Sequence, residues 1–230
     1  MPFLLLLVFS TSLFASNASR VVVGPTASAY KLSADNGKGA KESVNSSLNL
    51  GGRVEFSYEV AELLLLAEAD LSSDKMTEPA GKSLSEANSV LWGASLGAGF
   101  YPIGSKDFQL NFLTRMQQSR VLLTDATGLR MEKYTAPRFL LQADFQTEGF
   151  LGRRWGTRLE GLFALGVETD NGANVGNGIG YAGTFWVELD LLDDSALRLG
   201  PQFSYLKTDF QGGSQSRTSV GGFAEMSWAL

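Results

Sequence analysis

Residues 219–230 read SVGGFAEMSWAL, and their alternation decides the fold. Successive side chains of a strand point to opposite faces, so Val220, Gly222, Ala224, Met226, Trp228 and Leu230 share one face. Ser219, Gly221, Phe223, Glu225, Ser227 and Ala229 share the other. A strand that is apolar on one side and mixed on the other suits a wall between lipid and a polar interior. From Arg20 onward, similar stretches are joined by long polar links and short links in turn. That rhythm predicts an all-β chain folded as an up-and-down antiparallel transmembrane β-barrel of about ten strands.

The alternation is as regular at 48–59. There Leu48, Leu50, Gly52, Val54, Phe56 and Tyr58 face out, and Asn49, Gly51, Arg53, Glu55, Ser57 and Glu59 face in. A turn near Val60-Ala61 leads to Leu63, Leu65, Ala67, Ala69 and Leu71. Glu59 to Asp70 is also rich in helix formers, and a helix there would lower the count to eight. Later strands place Val90 to Phe100, Phe108 to Phe112, Phe139 to Phe145, Leu159 to Val167, Phe185 to Leu191 and Leu197 to Tyr205 against lipid on alternate positions. The long links are expected at Ala34–Asn45, Ser72–Asn88, Arg120–Lys133, Thr169–Gly180 and Lys207–Ser216, where Gly, Asn and charge accumulate. Aromatic belts are expected at both interfaces. Tyr58, Phe100, Phe108, Trp155 and Trp228 would form the one by the short turns, and Trp92, Tyr134, Tyr181 and Tyr205 the one by the long links. A soluble sandwich or a lipocalin-like barrel alternates too, with the apolar face inside.

On its final strand and its alternation of links, the chain resembles the small outer-membrane β-barrel proteins of Gram-negative bacteria, of OmpA, OmpX or OmpW-like architecture. The resemblance implies residence in the outer membrane, contact with its lipid and lipopolysaccharide, and a C-terminal signal for the barrel-assembly machinery at Met226, Trp228 and Leu230. In that family the last residue is typically aromatic, whereas here Trp228 stands two positions early.

The segment before the barrel reads as an export signal. Phe3–Phe9 is its apolar core and Ser16-Asn17-Ala18 a plausible cleavage site, although no Lys or Arg precedes the core. Residues 1–18 are therefore expected to be a signal peptide and residues 19–230 the barrel. No apolar run approaches the roughly 18 residues of a membrane helix. With no Cys there is neither a disulfide nor a lipoprotein anchor. A net charge of -5 and a pI near 4.9 argue against nucleic-acid binding.

For chemistry, the chain contains no His. The side chain best suited to proton transfer near neutral pH is thus missing. The enzymes among outer-membrane barrels, to which the resemblance extends, use one. A non-enzymatic protein is expected, with no cofactor and no metal. Asp170-Asn171-Gly172 with Asn174 has too few carboxylates for calcium. Arg120, Arg130 and Lys133 carry charge that suits lipopolysaccharide phosphates, but Asp125 and Glu132 dilute it, and a solvated loop is expected there. Facing inward are Arg53, Glu55, Arg115, Arg138, Asp144, Arg158, Glu160, Glu188, Arg198 and Glu225. In a barrel this narrow such charges either pair into a plug or line a thin selective pore. Gly93, Ser95, Gly97 and Gly99 form a smooth inner strip that would open a passage or seat a bulky residue such as Trp186. The expected role is structural or surface-interactive, exerted by a monomer whose loops meet outside ligands. The alternative is a narrow passive pore.

Overall fold

A computed structural model of the 230-residue chain describes residues 19–35, 41–60, 62–79, 84–85, 87–125, 128–149, 153–192, 194–210 and 213–230. The expected signal peptide at 1–18 lies outside the described residues. The strands are β1 Ser19–Asp35, β2 Lys41–Ser46, β3 Asn49–Val60, β4 Leu63–Thr77, β5 Leu84–Ser85, β6 Asn88–Phe100 and β7 Phe108–Asp125. They continue with β8 Gly128–Glu148, β9 Arg154–Ala164, β10 Val167–Glu168, β11 Asn174–Leu192, β12 Ser195–Phe210 and β13 Gly213–Ala229. Each long strand pairs antiparallel with its neighbours, and β1 closes on β13 from Arg20↔Ala229 to Asp35↔Ser214. β2 and β3 are two halves of one wall position, both paired with β1. The ring therefore has ten wall positions among the described residues. The described residues of 59–70 are strand and turn rather than helix, and Leu63, Leu65 and Leu71 alternate outward as exposed apolar side chains.

The outer surface carries a girdle of large exposed apolar side chains, among them Leu50, Leu65, Leu96, Phe112, Phe139, Leu159 and Val220. A bilayer is the solvent that such a girdle requires, and a closed ring leaves no backbone edge unpaired in it. At the end with short turns, Phe108 stacks on Phe145 with centroids 4.6 Å apart and Trp155 meets Phe185 at 5.6 Å. At the other end Tyr181 meets Tyr205 at 5.4 Å. Tyr134, expected in that second belt, is instead buried.

Beyond the girdle the pattern inverts. Lys31, Ser43 and Lys75 are exposed, while their neighbours Leu32, Val44 and Met76 turn inward and are buried. The strands continue into water here, and a hydrophobic interior replaces the hydrophobic exterior. The long links expected at this end are accordingly mostly strand: β7 runs to Asp125 and β8 begins at Gly128, and β12 reaches Phe210 with β13 starting at Gly213. Val167, expected against lipid, packs inward.

The β7–β8 hairpin does not stand upright at this end. One of its faces, with Leu122, Leu129 and Met131, packs on Tyr30, Leu32, Val44 and Met76 of β1, β2 and β4 and on Leu84 of β5. Its other face, with Val121, Leu123, Tyr134 and Ala136, packs on Val167 of β10, Val175 of β11 and Phe210 of β12. A hairpin buried on both faces between two walls lies across the mouth. β5 extends it by pairing parallel with β8 at Leu84↔Leu129.

Candidate functional site

The site is the lumen, built from the inward positions of every wall strand. At its mid-depth Arg158 of β9 reaches across to three carboxylates. Its Nε and one terminal nitrogen donate to Asp144 at 2.7 and 3.0 Å, and the other nitrogen donates to Glu55 at 3.2 Å and Glu68 at 3.3 Å. A planar guanidinium with five donors is suited to such multiple pairing. Ser95 donates to Glu68 at 3.1 Å and Asn111 to Asp144 at 3.1 Å, which saturates the carboxylates further.

Two side groups flank this layer. Arg53 pairs with Glu225 at 2.8 Å and lies over the Phe223 ring. Arg198 pairs with Glu188 at 2.6 Å and lies over Trp186. Glu188 also takes Arg20 at 2.6 Å and Arg154 at 3.4 Å. Arg115 pairs with Asp70 and stands 3.7 Å from Glu68. Glu160 accepts from Gln142 at 2.9 Å. Arg138 donates to the Ser119 hydroxyl and has no carboxylate partner among the described residues. Met226, Trp228 and Leu230 lie along the outer face at the end of β13, where Met226 opposes Val23 and Leu197.

The ionic layer divides the lumen. Above it is a chamber of about 280 Å³ reached by Arg115, Arg138, Glu160 and Arg217, and below it one of about 410 Å³ reached by Arg20, Glu55, Arg154 and Glu188. Arg158 lines both. At the lower rim Lys106 donates to Glu59 at 2.7 Å, and this bond raises the Lys106 pKa.

The comparisons with known proteins bear on the fold. No protein-family model matches the chain, and no curated protein matches it significantly. Among solved structures, the outer-membrane protease OmpT from Escherichia coli matches with a TM-score of 0.50 at 8% identity, over 94% of this chain and 97% of that one. An outer-membrane channel from Pseudomonas putida F1 matches with a TM-score of 0.54 at 9% identity, over 93% of this chain and 95% of that one. The fold is that of an outer-membrane β-barrel. Its resemblance to both a protease and a channel fixes the architecture and leaves the role to this lumen.

The inner strip of this outer-membrane barrel is not open. A Cβ on Gly97 would lie 2.7 Å from the Leu113 Cα and one on Gly99 2.0 Å from the Asn111 side chain, so residues of β7 cover the bare backbone. Trp186 sits elsewhere, against Gly156 of β9, where a Cβ would come within 2.2 Å of its ring. Leu64, Leu66, Leu113 and Leu140 also face inward and form an apolar stripe, which the strict alternation at 63–71 concealed.

Sequence reasoning missed the closure of the upper mouth. Arg120, expected in a solvated loop, is buried and pairs with Asp74 at 2.9 Å. Tyr30 donates its hydroxyl to the same Asp74. Glu132 is buried, takes Arg130, and accepts from Thr169 at 2.6 Å. Gln215 on β13 accepts from the Leu122 N–H at 2.7 Å and donates to the Arg120 carbonyl at 3.4 Å, fastening the hairpin to the opposite wall. The apolar run Val121-Leu122-Leu123, inside a segment otherwise read as polar, was the available signal. The described residues contain no cluster of metal-ligating side chains.

Proposed function

We propose that the protein is a non-enzymatic, monomeric outer-membrane barrel that stays shut and acts through the polar surface of its extended hairpins, in a structural or surface-interaction role. The observation that carries this reading is the β7–β8 hairpin, buried on both faces across the mouth. It stands in series with the Arg158 layer, so a solute would have to displace two independent obstructions. Lipid and lipopolysaccharide are the immediate partners of the girdle. The end of β13, with Met226, Trp228 and Leu230, is read as the segment taken up by the assembly machinery. The absence of His and Cys supports a non-catalytic role.

Single-channel recording of the refolded barrel in a planar bilayer tests the reading, with folding checked by heat-dependent gel mobility. An electrically silent folded barrel is expected, and steady current steps proportional to salt would overturn it. A narrow passive pore is the second reading. The observation favouring it is that polar chambers lie on both sides of the thin Arg158 layer.

A further inference from the structure

The upper chamber is unbalanced in charge. Five guanidinium groups line it, from Arg53, Arg115, Arg138, Arg158 and Arg217, and the first, second and fourth have carboxylates within salt-bridge distance. Arg138 and Arg217 have none among the described residues. Arg138 is 8% exposed, donates to the Ser119 hydroxyl, and keeps its buried Nε without an acceptor. Arg217 lies 3.9 Å above the Tyr30 ring, and its buried Nε likewise has no acceptor. Glu160, a carboxylate of the same chamber, has no cation within 4.0 Å among the described residues and is held by Gln142.

A guanidinium held out of bulk water without a counter-charge is costly, and its planar fork matches the two oxygens of a carboxylate or phosphate. We propose that the upper chamber is a binding site for a small oxyanion, a carboxylate or phosphate group held by Arg138 and Arg217 beneath the β7–β8 hairpin. The chamber volume of about 280 Å³ admits such a group with part of its hydration. Gln202 and Ser219 line the same space and supply further donors. Arg158 forms the floor of this chamber, so an anion arriving from outside has to pass the β7–β8 hairpin alone, and its binding does not require a lumen that conducts.

The experiment is isothermal titration of the barrel, refolded in detergent in the presence and absence of probe, with inorganic phosphate and with succinate against chloride at equal ionic strength. Saturable binding of at least one probe is expected. Arg138→Gln and Arg217→Gln should each weaken it at least tenfold, and Glu160→Gln should tighten it. Heat-dependent gel mobility identifies variants that have folded, and Arg138→Lys and Arg217→Lys serve if a Gln variant has not. Phosphate binding without succinate binding, or the reverse, supports the site and names its preferred headgroup. No saturable binding beyond chloride, or folded Arg variants that bind as the parent does, overturns it.

Discussion

Among the described residues, Arg158 is the side chain that meets both chambers, and three carboxylates depend on it. Removing one partner of a buried pair leaves the others uncompensated, at a cost on the order of 3 kcal/mol. Arg158→Gln should therefore lower the stability of the folded barrel by about that amount, measured by urea titration in lipid vesicles. Glu55→Gln, which leaves Arg158 with two carboxylates, should cost clearly less. Gly156→Ala acts by packing instead. The new methyl group would overlap the Trp186 ring, so the indole must leave its position over Arg198. A cost of about 2 kcal/mol is expected from such overpacking, with a shift in tryptophan emission reporting the movement. At the lower rim the sign of the pH effect follows from Lys106. A pKa raised by its bond to Glu59 gives a contribution present below the ordinary lysine value and lost as pH rises through the raised one. Because Lys106 is largely exposed, Lys106→Gln should leave stability unchanged within error, at neutral pH as at pH 11.

At the scale of elements, the β7–β8 hairpin is held by backbone bonds to Gln215 and by the Arg120–Asp74 pair. Gln215→Ala removes the acceptor of the Leu122 amide. Hydrogen exchange at Leu122 should then accelerate at least tenfold, while amides of the lipid-facing part of β7, such as Phe112, keep their protection. Equal protection at Leu122 in parent and variant would mean that the apolar clusters alone hold the hairpin down. This hairpin also shows where the sequence was legible. Within the bilayer the solvent outside is apolar and the strand period sorts lipid from lumen, so Leu50, Val54 and Val220 could be placed outward from the sequence. Above the bilayer both sides of the wall change character. Lys31, Ser43 and Lys75 then stand on the outer face, where lipid-facing alternation calls for apolar residues, and the sequence there reads as loop. Leu64 and Leu66 were missed for a related reason. They occupy lumen positions, but what they face there is other leucines rather than water.

For the whole molecule, two obstructions in series predict a specific pattern of conductance. Neither Arg158→Gln nor Gln215→Ala alone should give current steps in a planar bilayer, whereas the double variant should. Steps from Arg158→Gln alone would mean that the hairpin does not seal the mouth. Alternation alone puts charges such as Arg53, Glu55 and Arg158 on one face of their strands, but it does not say which of them pair. Arg158 finds Glu55 and Glu68 103 and 90 positions away in the chain, and only the closure of the ring brings these walls opposite one another.

That closure has a consequence in time. The seam joins the first described strand to the last, and Leu230 donates its amide to the carbonyl of Ser19, at a sequence separation of 211. Contacts so distant along the chain are slow to form, since the whole intervening loop must be restrained first. Until they form, the sheet has two raw edges whose amides and carbonyls no hydrocarbon chain can satisfy. The unfinished sheet therefore cannot enter lipid strand by strand. It must zip up while sheltered and pass into the bilayer as a ring, so a variant that weakens the seam would first show itself as a delay in assembly rather than as a loss of final stability.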